Sequence, residues 1–218
     1  MSLVTVFGGS GFIGRHLVQR LAASGIPTSW MFIGSFALLC LIGSALLMLP
    51  AAIRPEHYES WSYLDSLFTA TSATCVTGLV VVDTGTFFTP LGQGIILTMI
   101  QLGAIGLMLF GAILAFLTGK SMSMRSSETF GEMLGQDQIG GVVRVMRYVI
   151  FTTLIAEAIG AAMLYPMFRE SLDAFGQPLS ASAALGHAVF HSVSAFCNAG
   201  FALYETNLAG PLASHWQI

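Results

Sequence analysis

The chain has 218 residues, a formal net charge of −3, 55% hydrophobic residues and only 9% charged residues, and its mean hydropathy is +0.77. Soluble domains carry about 25% charged residues, so this composition argues against a soluble domain and indicates a membrane protein. The small net charge says little about partners, and we expect no nucleic-acid partner. The 3 cysteines without close pairs predict neither a disulfide framework nor a zinc site.

The first segment of the chain, residues 1–26, differs from the rest. An apolar stretch typical of a buried strand leads into Gly8, Gly11 and Gly14, and a helical stretch follows. This G-x-x-G-x-x-G order resembles the dinucleotide motif of NAD(P)-dependent epimerases, whose glycines let a pyrophosphate approach a helix N-terminus. The second strand and acidic residue expected about 20 residues later are missing, since no Asp or Glu precedes Glu56. We interpret residues 1–26 as an incomplete Rossmann-like β-α fragment, joined by gene fusion or sequence misassembly, and expect no NAD(P) binding.

An NAD(P)-dependent, epimerase-like protein with a membrane segment is the enzyme alternative for the whole chain. Such an enzyme would need a Tyr-x-x-x-Lys catalytic pair. The chain has one lysine, Lys120, and the residue four positions before it is Phe116. We therefore predict that the chain is not an enzyme.

Long apolar segments follow, and each is long enough to cross a bilayer. Residues 29–53 and 91–119 carry no charge, and residues 148–168 carry only Glu157. About 20 apolar residues span the hydrocarbon core, so these segments predict three transmembrane helices. Buried helices of a soluble protein are the alternative, but too little polar surface remains to cover them. An intramembrane carboxylate such as Glu157 is either functional or a structural hydrogen-bond partner of a neighbouring helix, and we favour the second interpretation.

The basic residues predict an orientation. Six of the 8 lysines and arginines fall in residues 1–28 and 120–147. Because basic residues collect on the cytoplasmic side, we place the N-terminus and the 120–147 connection inside. Residues 54–90 and 169–210 then open to the outside.

A repeat with an offset of 122 residues is the strongest pattern in the chain. Residues 66–78 recur as residues 188–200, with identical residues at five of these positions: Phe68/Phe190, Ser72/Ser194, Ala73/Ala195, Cys75/Cys197 and Gly78/Gly200. Residues 63–73 predict a helix of roughly 16 Å, half a bilayer, and β-branched residues of extended character follow. Non-helical backbone survives at membrane depth only where protein or a water-filled cavity satisfies it. Each copy therefore predicts a half-helix that enters the membrane and returns; an extracellular loop with a surface helix is the alternative.

The strings FTATSATCVTGLVVVDTGTF and FHSVSAFCNAGFALYETNL resemble pore loops of the Trk/Ktr/HKT superfamily of potassium transporters. The resemblance implies a potassium-conducting pore in the cell inner (plasma) membrane and a cytoplasmic nucleotide-binding regulatory subunit as partner. It also implies that the filter glycines are Gly78 and Gly200. Their carbonyl-bearing neighbours would be Thr74, Cys75, Val76, Thr77, Phe196, Cys197, Asn198 and Ala199. Whether potassium or sodium is preferred stays open.

We therefore predict an all-α membrane protein built from repeated helix–pore-loop–helix units. Its parts are the fragment 1–26, a first unit 28–119, a cytoplasmic connection 120–147 and a second unit 148–218 that stops within its inner helix. Two filter segments cannot encircle an ion. Either the sequence is a piece of a longer protein or two or more chains assemble, for example as a homodimer, and we favour the first interpretation. A non-conducting structural membrane subunit is a further alternative.

Two smaller expectations concern the pore loops. His187 and His191 are four residues apart and could face one way as metal ligands, but no third ligand is evident, so a polar helix face is favoured. Gly85 lies outside the proposed filter, so Gly85→Ser is expected to reduce potassium selectivity or uptake much less than Gly78→Ser or Gly200→Ser.

Overall fold

A computed structural model describes residues 28–117, 138–172 and 177–205, with side chains described at 33–109, 146–172 and 177–205. The predicted Rossmann-like fragment with Gly8, Gly11 and Gly14 lies outside the described residues. So do the last two residues of the predicted first unit, 118–119, residues 120–137 of the predicted cytoplasmic connection, and residues 206–218, where the second inner helix was expected.

The described part of the chain is helical and contains no strand. Its helices are α1 (Thr28–Leu47), α2 (Tyr63–Thr74), α3 (Thr84–Phe87), α4 (Pro90–Leu117), α5 (Gln138–Glu170) and α6 (Ala181–Phe196), with a 3-10 helix at Pro55–Ser60. Isolated β-bridges join Ile53 to Phe88 and Leu172 to Pro178. This agrees with the predicted all-α class.

Local sequence explains where the short helices begin. Ser62 caps α2, because its hydroxyl accepts a hydrogen bond from the Asp65 amide while the Asp65 carboxylate accepts one from the Ser62 amide. This reciprocal pair is a capping box. Ser180 caps α6 in the simpler way, accepting from the Ala183 amide. The helix predicted over 63–73 is confirmed and extends one residue further, to Thr74.

Apolar helices of membrane-spanning length occur in two of the predicted places. The segments Pro90–Leu109 and Met146–Glu170 are long and apolar enough to cross a bilayer, and Ile33–Leu47 is a shorter apolar segment. Large apolar side chains point outward from these helices; Met163, for example, is 76% exposed. Such exposure disagrees with the buried-helix alternative and fits a lipid environment, in which apolar surface needs no cover.

The helices pack as two groups that meet at α4. The first group is α1, α2 and α4, and the second is α5 and α6, which pack on each other and also contact α4. The main core holds Ile96 and Ile100 of α4 together with Phe88, and it also takes in Phe201 and Leu203 from the chain after α6. The segment that follows α6 is therefore packed into the core of the first group.

Candidate functional site

The two copies of the repeat adopt the same backbone turn after their short helices. We call residues 74–78 the first Gly turn and residues 196–200 the second Gly turn. Val76 has φ 58° and Asn198 has φ 56°, while Gly78 and Gly200 both have φ 75°. Positive φ is uncommon for residues other than glycine, above all for β-branched ones. Its recurrence at both matched pairs means that the repeated sequence folds as a repeated local structure.

Hydrogen bonds orient the peptide groups of both turns. In each turn three successive amides donate back to carbonyl oxygens of the preceding helix. The pairs are Cys75 to Thr71 (2.8 Å), Val76 to Ala73 (3.3 Å), Thr77 to Ser72 (3.0 Å), Cys197 to Val193 (2.9 Å), Asn198 to Ala195 (3.1 Å) and Ala199 to Ser194 (2.7 Å). N–H and C=O point in opposite directions across a trans peptide. The carbonyl oxygens of Cys75, Val76, Cys197 and Asn198 therefore point away from the helices.

The two Gly turns meet at their glycines. A Cβ atom built on Gly78 would lie 2.9 Å from the Ala199 carbonyl oxygen and 3.1 Å from the Gly200 Cα. A Cβ atom built on Gly200 would lie 2.9 Å from the Gly78 Cα. Both positions thus require glycine twice over, because φ is positive and because the opposite backbone occupies the space.

Thr74 differs from the other residues whose carbonyl groups were predicted to face the ion. A Cβ atom built on Gly103 of α4 would collide with the Thr74 carbonyl oxygen. The Thr74 carbonyl therefore faces α4 across a close helix contact of the kind that small residues allow. Among the predicted residues at the second turn, the Phe196 side chain is exposed and Cys197 and Ala199 are buried.

The segments that follow the two turns are held differently. The first return segment, residues 79–83, exposes Leu79, Val80 and Val81. In the second return segment, residues 201–205, Phe201 and Leu203 are each 2% exposed. The second segment is therefore packed and the first is not.

Side chains of α6 tie the second return segment in place. The Ser194 hydroxyl donates to the Phe201 carbonyl at 2.6 Å, and the Leu203 amide donates to Nε2 of His191 at 3.2 Å. An acceptor at Nε2 leaves the ring proton on Nδ1, where it is donated to the His187 carbonyl at 2.8 Å. Both ring nitrogens of His191 thus have protein partners. No cluster of three or more His, Cys, Asp or Glu residues that could hold a metal ion occurs among the described residues.

Gly85 packs directly against this tied segment. A Cβ atom on Gly85 would collide with the Leu203 carbonyl oxygen. A side chain at position 85 would therefore disturb the packing, because α3 and the second return segment approach each other backbone to backbone there. The smaller effect of Gly85→Ser on uptake stays a prediction.

A cavity of about 440 Å³ lies beside the turns. It is lined by both return segments, with Gly200 at one wall and the repeat-equivalent acids Asp83 and Glu205 at its rim. One oxygen of Asp83 also accepts from the amide (2.7 Å) and hydroxyl (2.8 Å) of Thr86, so Asp83 caps the N-terminus of α3. The cavity is therefore acidic and sits next to the glycine contact.

A buried polar cluster lies behind the second Gly turn. Glu157 of α5 is 5% exposed, and its Oε2 atom accepts a hydrogen bond from Gln101 of α4 at 3.0 Å. Its Oε1 atom lies 3.8 Å from the Cys197 Sγ atom, which is also 3.8 Å from the Gln101 Oε1 atom. Glu157 therefore contacts a neighbouring helix, as favoured from the sequence, and also contacts the turn itself.

Comparison with known proteins decides the family. The family TrkH, cation transport protein, matches residues 30–210. The chain belongs to the TrkH family. Its members are membrane proteins, in agreement with the apolar helices. The match begins after the Rossmann-like motif, so Gly8, Gly11 and Gly14 lie outside it.

Several potassium uptake proteins are similar to this TrkH-family chain. Ktr system potassium uptake protein B of Bacillus subtilis is 39% identical over 84% of the chain and 38% of its own length. Ktr system potassium uptake protein B of Vibrio alginolyticus is 37% identical over 80% of the chain and 36% of its own length. Potassium/sodium uptake protein NtpJ of Enterococcus hirae is 35% identical over 79% of the chain and 36% of its own length. The chain thus spans less than two fifths of the length of these relatives.

Sequence reasoning located the turns but missed residues that support them. Gln101 was overlooked, although it is one of two amides in an uncharged span of 29 residues. A lone amide at membrane depth needs a polar partner, and Glu157 was the acid available within a span. No local pattern in the sequence indicates the contact of Gly103 with Thr74.

Proposed function

We propose that the chain supplies two pore-loop units to a transporter that passes potassium ions across the cell inner (plasma) membrane. The recurrence of one backbone turn at residues 74–78 and 196–200 carries this proposal. Matched turns with outward-pointing carbonyl groups are suited to replacing the hydration shell of a cation, as in potassium filters. The three uptake relatives described above support potassium as the substrate, and the name of NtpJ makes sodium the competing ion to measure.

The proposed filter residues follow from the turns. Gly78 and Gly200 give the backbone its left-handed conformation, and the carbonyl groups come from Cys75, Val76, Thr77, Cys197, Asn198 and Ala199. Thr74 and Phe196 end the half-helices, whose C-terminal carbonyl groups carry partial negative charge and favour a cation. Asp83 and Glu205 would raise the local cation concentration in the cavity beside the glycines.

The assembly and orientation belong to the same proposal. Two turns form part of a ring, so further units or a second copy of the chain would complete the filter. The excess of basic residues in 1–28 and 120–147 supports a cytoplasmic N-terminus. A nucleotide-binding regulatory subunit on the cytoplasmic side is the proposed partner.

The test uses the protein expressed from its complete gene in a bacterium that lacks its own potassium uptake. Gly78→Ser and Gly200→Ser are each expected to lower rubidium uptake, or the rubidium-to-sodium uptake ratio, by about tenfold or more. A side chain there meets both a positive φ and the opposite backbone, and such strain costs about 1–3 kcal/mol. Growth on limiting potassium and radiotracer rubidium and sodium fluxes are measured at matched membrane expression.

Gly94→Ser is the matched control, because Gly94 lies on α4 with nothing within 4 Å of an added Cβ atom. It should behave as the unsubstituted protein. Near-normal, potassium-selective uptake by all three variants would overturn the filter proposal, and an absence of uptake by the unsubstituted protein would overturn the transport proposal.

A further inference from the structure

Glu157 joins three elements that meet behind the second Gly turn. Its side chain accepts from Gln101 of α4 at 3.0 Å and reaches the Cys197 thiol of the turn at 3.8 Å. Its backbone carbonyl accepts from the Ser192 hydroxyl of α6 at 2.7 Å. One residue of α5 therefore contacts the inner helix of the first unit, the short helix of the second unit and the base of the turn.

The first unit has no carboxylate at the corresponding place. The two outer helices can be aligned by their contacts with the short helices. A Cβ atom on Gly43 of α1 would meet the Met99 side chain of α4 and would lie 3.4 Å from the Ala70 Cβ atom of α2, and a Cβ atom on Gly160 of α5 would meet the Ser192 side chain of α6. Ala70 and Ser192 are repeat equivalents (192 − 70 = 122), so Gly43 corresponds to Gly160, an offset of 117. The same offset pairs Cys40 with Glu157 (157 − 40 = 117).

Both members of this second pair lie beside the cysteine at the second position of their Gly turn. Cys40 neighbours the Cys75 thiol, and Glu157 neighbours the Cys197 thiol. A thiol–thiol contact forms at most a weak hydrogen bond. The carboxylate, in contrast, also bonds to an amide of α4, so the polar support of the turn is specific to the second unit.

We propose that Glu157 is a positioning residue that holds the second Gly turn in register with α4 and thereby sets cation selectivity. The selectivity part rests on the proposed transport function; the positioning part does not. Buried polar groups whose partners are all present fix geometry strongly, because in a low-dielectric interior an unpaired partner is costly. Replacing Glu157 by an apolar residue would leave the Gln101 amide unpaired and free Cys197 to move.

The positioning part is tested without transport, by alkylation of Cys197 in membranes. Cys197 is buried and Cys75 is exposed, so peptide mass spectrometry can follow both thiols with N-ethylmaleimide, and Cys75 serves as the internal reference. Glu157→Leu and Gln101→Leu are expected to raise the Cys197 rate by about tenfold, the factor expected for loss of one buried hydrogen bond. Glu157→Gln keeps an acceptor for Gln101 and should stay within about twofold.

The control is Ser171→Ala, which removes a buried hydroxyl just after α5 that donates to the Met167 carbonyl. It should leave the Cys197 rate unchanged. Unaltered Cys197 reactivity in both leucine variants, or an equal rise in the Ser171→Ala control, would overturn the positioning role.

The selectivity part is tested by rubidium and sodium uptake in the complete transporter. Glu157→Leu should raise the rubidium KM and lower the rubidium-to-sodium ratio by about fivefold to tenfold, and Glu157→Gln should restore both. If Gly200→Ser changes selectivity but Glu157→Leu does not, this inference fails and the filter proposal stands. If neither changes it, the filter proposal fails, and the alkylation result alone decides the positioning role.

Discussion

The two Gly turns have the same backbone, yet the segments that follow them are anchored in opposite ways. The first return segment is exposed, and only the Gly turn before it is tied to α2, through Thr77 and Ser72, whose hydroxyl groups lie 2.9 Å apart. The second is buried in the core of the first unit and tied through His191 and Ser194. The comparison teaches that local sequence is enough to give both copies the same turn. The burial and the contacts of each copy depend on where it lies in the molecule.

The differences in anchoring can be traced to single residues at equivalent positions. His191 corresponds to Thr69 (191 − 122 = 69), and within the described part of the chain the buried Thr69 hydroxyl has no hydrogen-bond partner. Ala199 corresponds to Thr77 (199 − 122 = 77), so the second turn lacks the Thr77–Ser72 bond. Instead, the hydroxyl of Ser194, the equivalent of Ser72, donates to the Phe201 carbonyl at 2.6 Å.

The largest expected effect concerns the buried second return segment. Gly85→Ser places a Cβ atom against the Leu203 backbone carbonyl, which no side-chain rotation can relieve. We expect a loss of about 3 kcal/mol of unfolding free energy, at the upper end for overpacking, measured by titration of purified protein in mixed micelles with a denaturing detergent. Gly186→Ser, with nothing within 4 Å of its added Cβ atom, is the control; equal stability of the two variants would contradict the close approach.

The second prediction removes the side-chain hydrogen-bonding group at two equivalent positions of the short helices. His191→Leu removes the acceptor of the buried Leu203 amide and should cost about 2 kcal/mol, since an unpaired buried donor costs about 1–3 kcal/mol. Thr69→Val at the equivalent position removes a hydroxyl that has no partner and keeps its shape, so it should be neutral or slightly stabilising. The same detergent titration measures both. Similar losses from both substitutions would show that the two short helices are anchored alike.

The smallest effect concerns the backbone that the two turns share. Val76 is β-branched and holds φ 58°, whereas its equivalent Asn198 holds φ 56° with a residue type that tolerates this region. Val76→Asn should therefore stabilise the first turn, and Asn198→Val should destabilise the second, each by about 1 kcal/mol. Changes of the same sign for both substitutions would mean that side-chain packing, rather than backbone conformation, decides these positions.

Much of the architecture could be predicted from the sequence because its signals are local. The lengths of the apolar runs predicted the helices now bounded by Pro90–Leu117 and Gln138–Glu170. The Ser62–Asp65 spacing encodes the capping box that starts α2. Glycine at 78 and 200 was predicted to supply unusual backbone freedom, and both residues adopt a positive φ. Local sterics determine these features, so they do not depend on the rest of the chain.

Other features were decided only when the chain folded. Nothing near Gly85 in the sequence indicates that Leu203, 118 positions later, would occupy the space above it. Gln101 and Glu157 are 56 residues apart, and only the packing of α5 against α4 places their side chains 3.0 Å from each other. Composition and repeat thus determine the membrane class and the backbone of the Gly turns, because short-range sterics and apolar length suffice for both. Which turn is buried, and which carries a carboxylate behind it, depends on contacts between distant segments, which only the tertiary structure brings together.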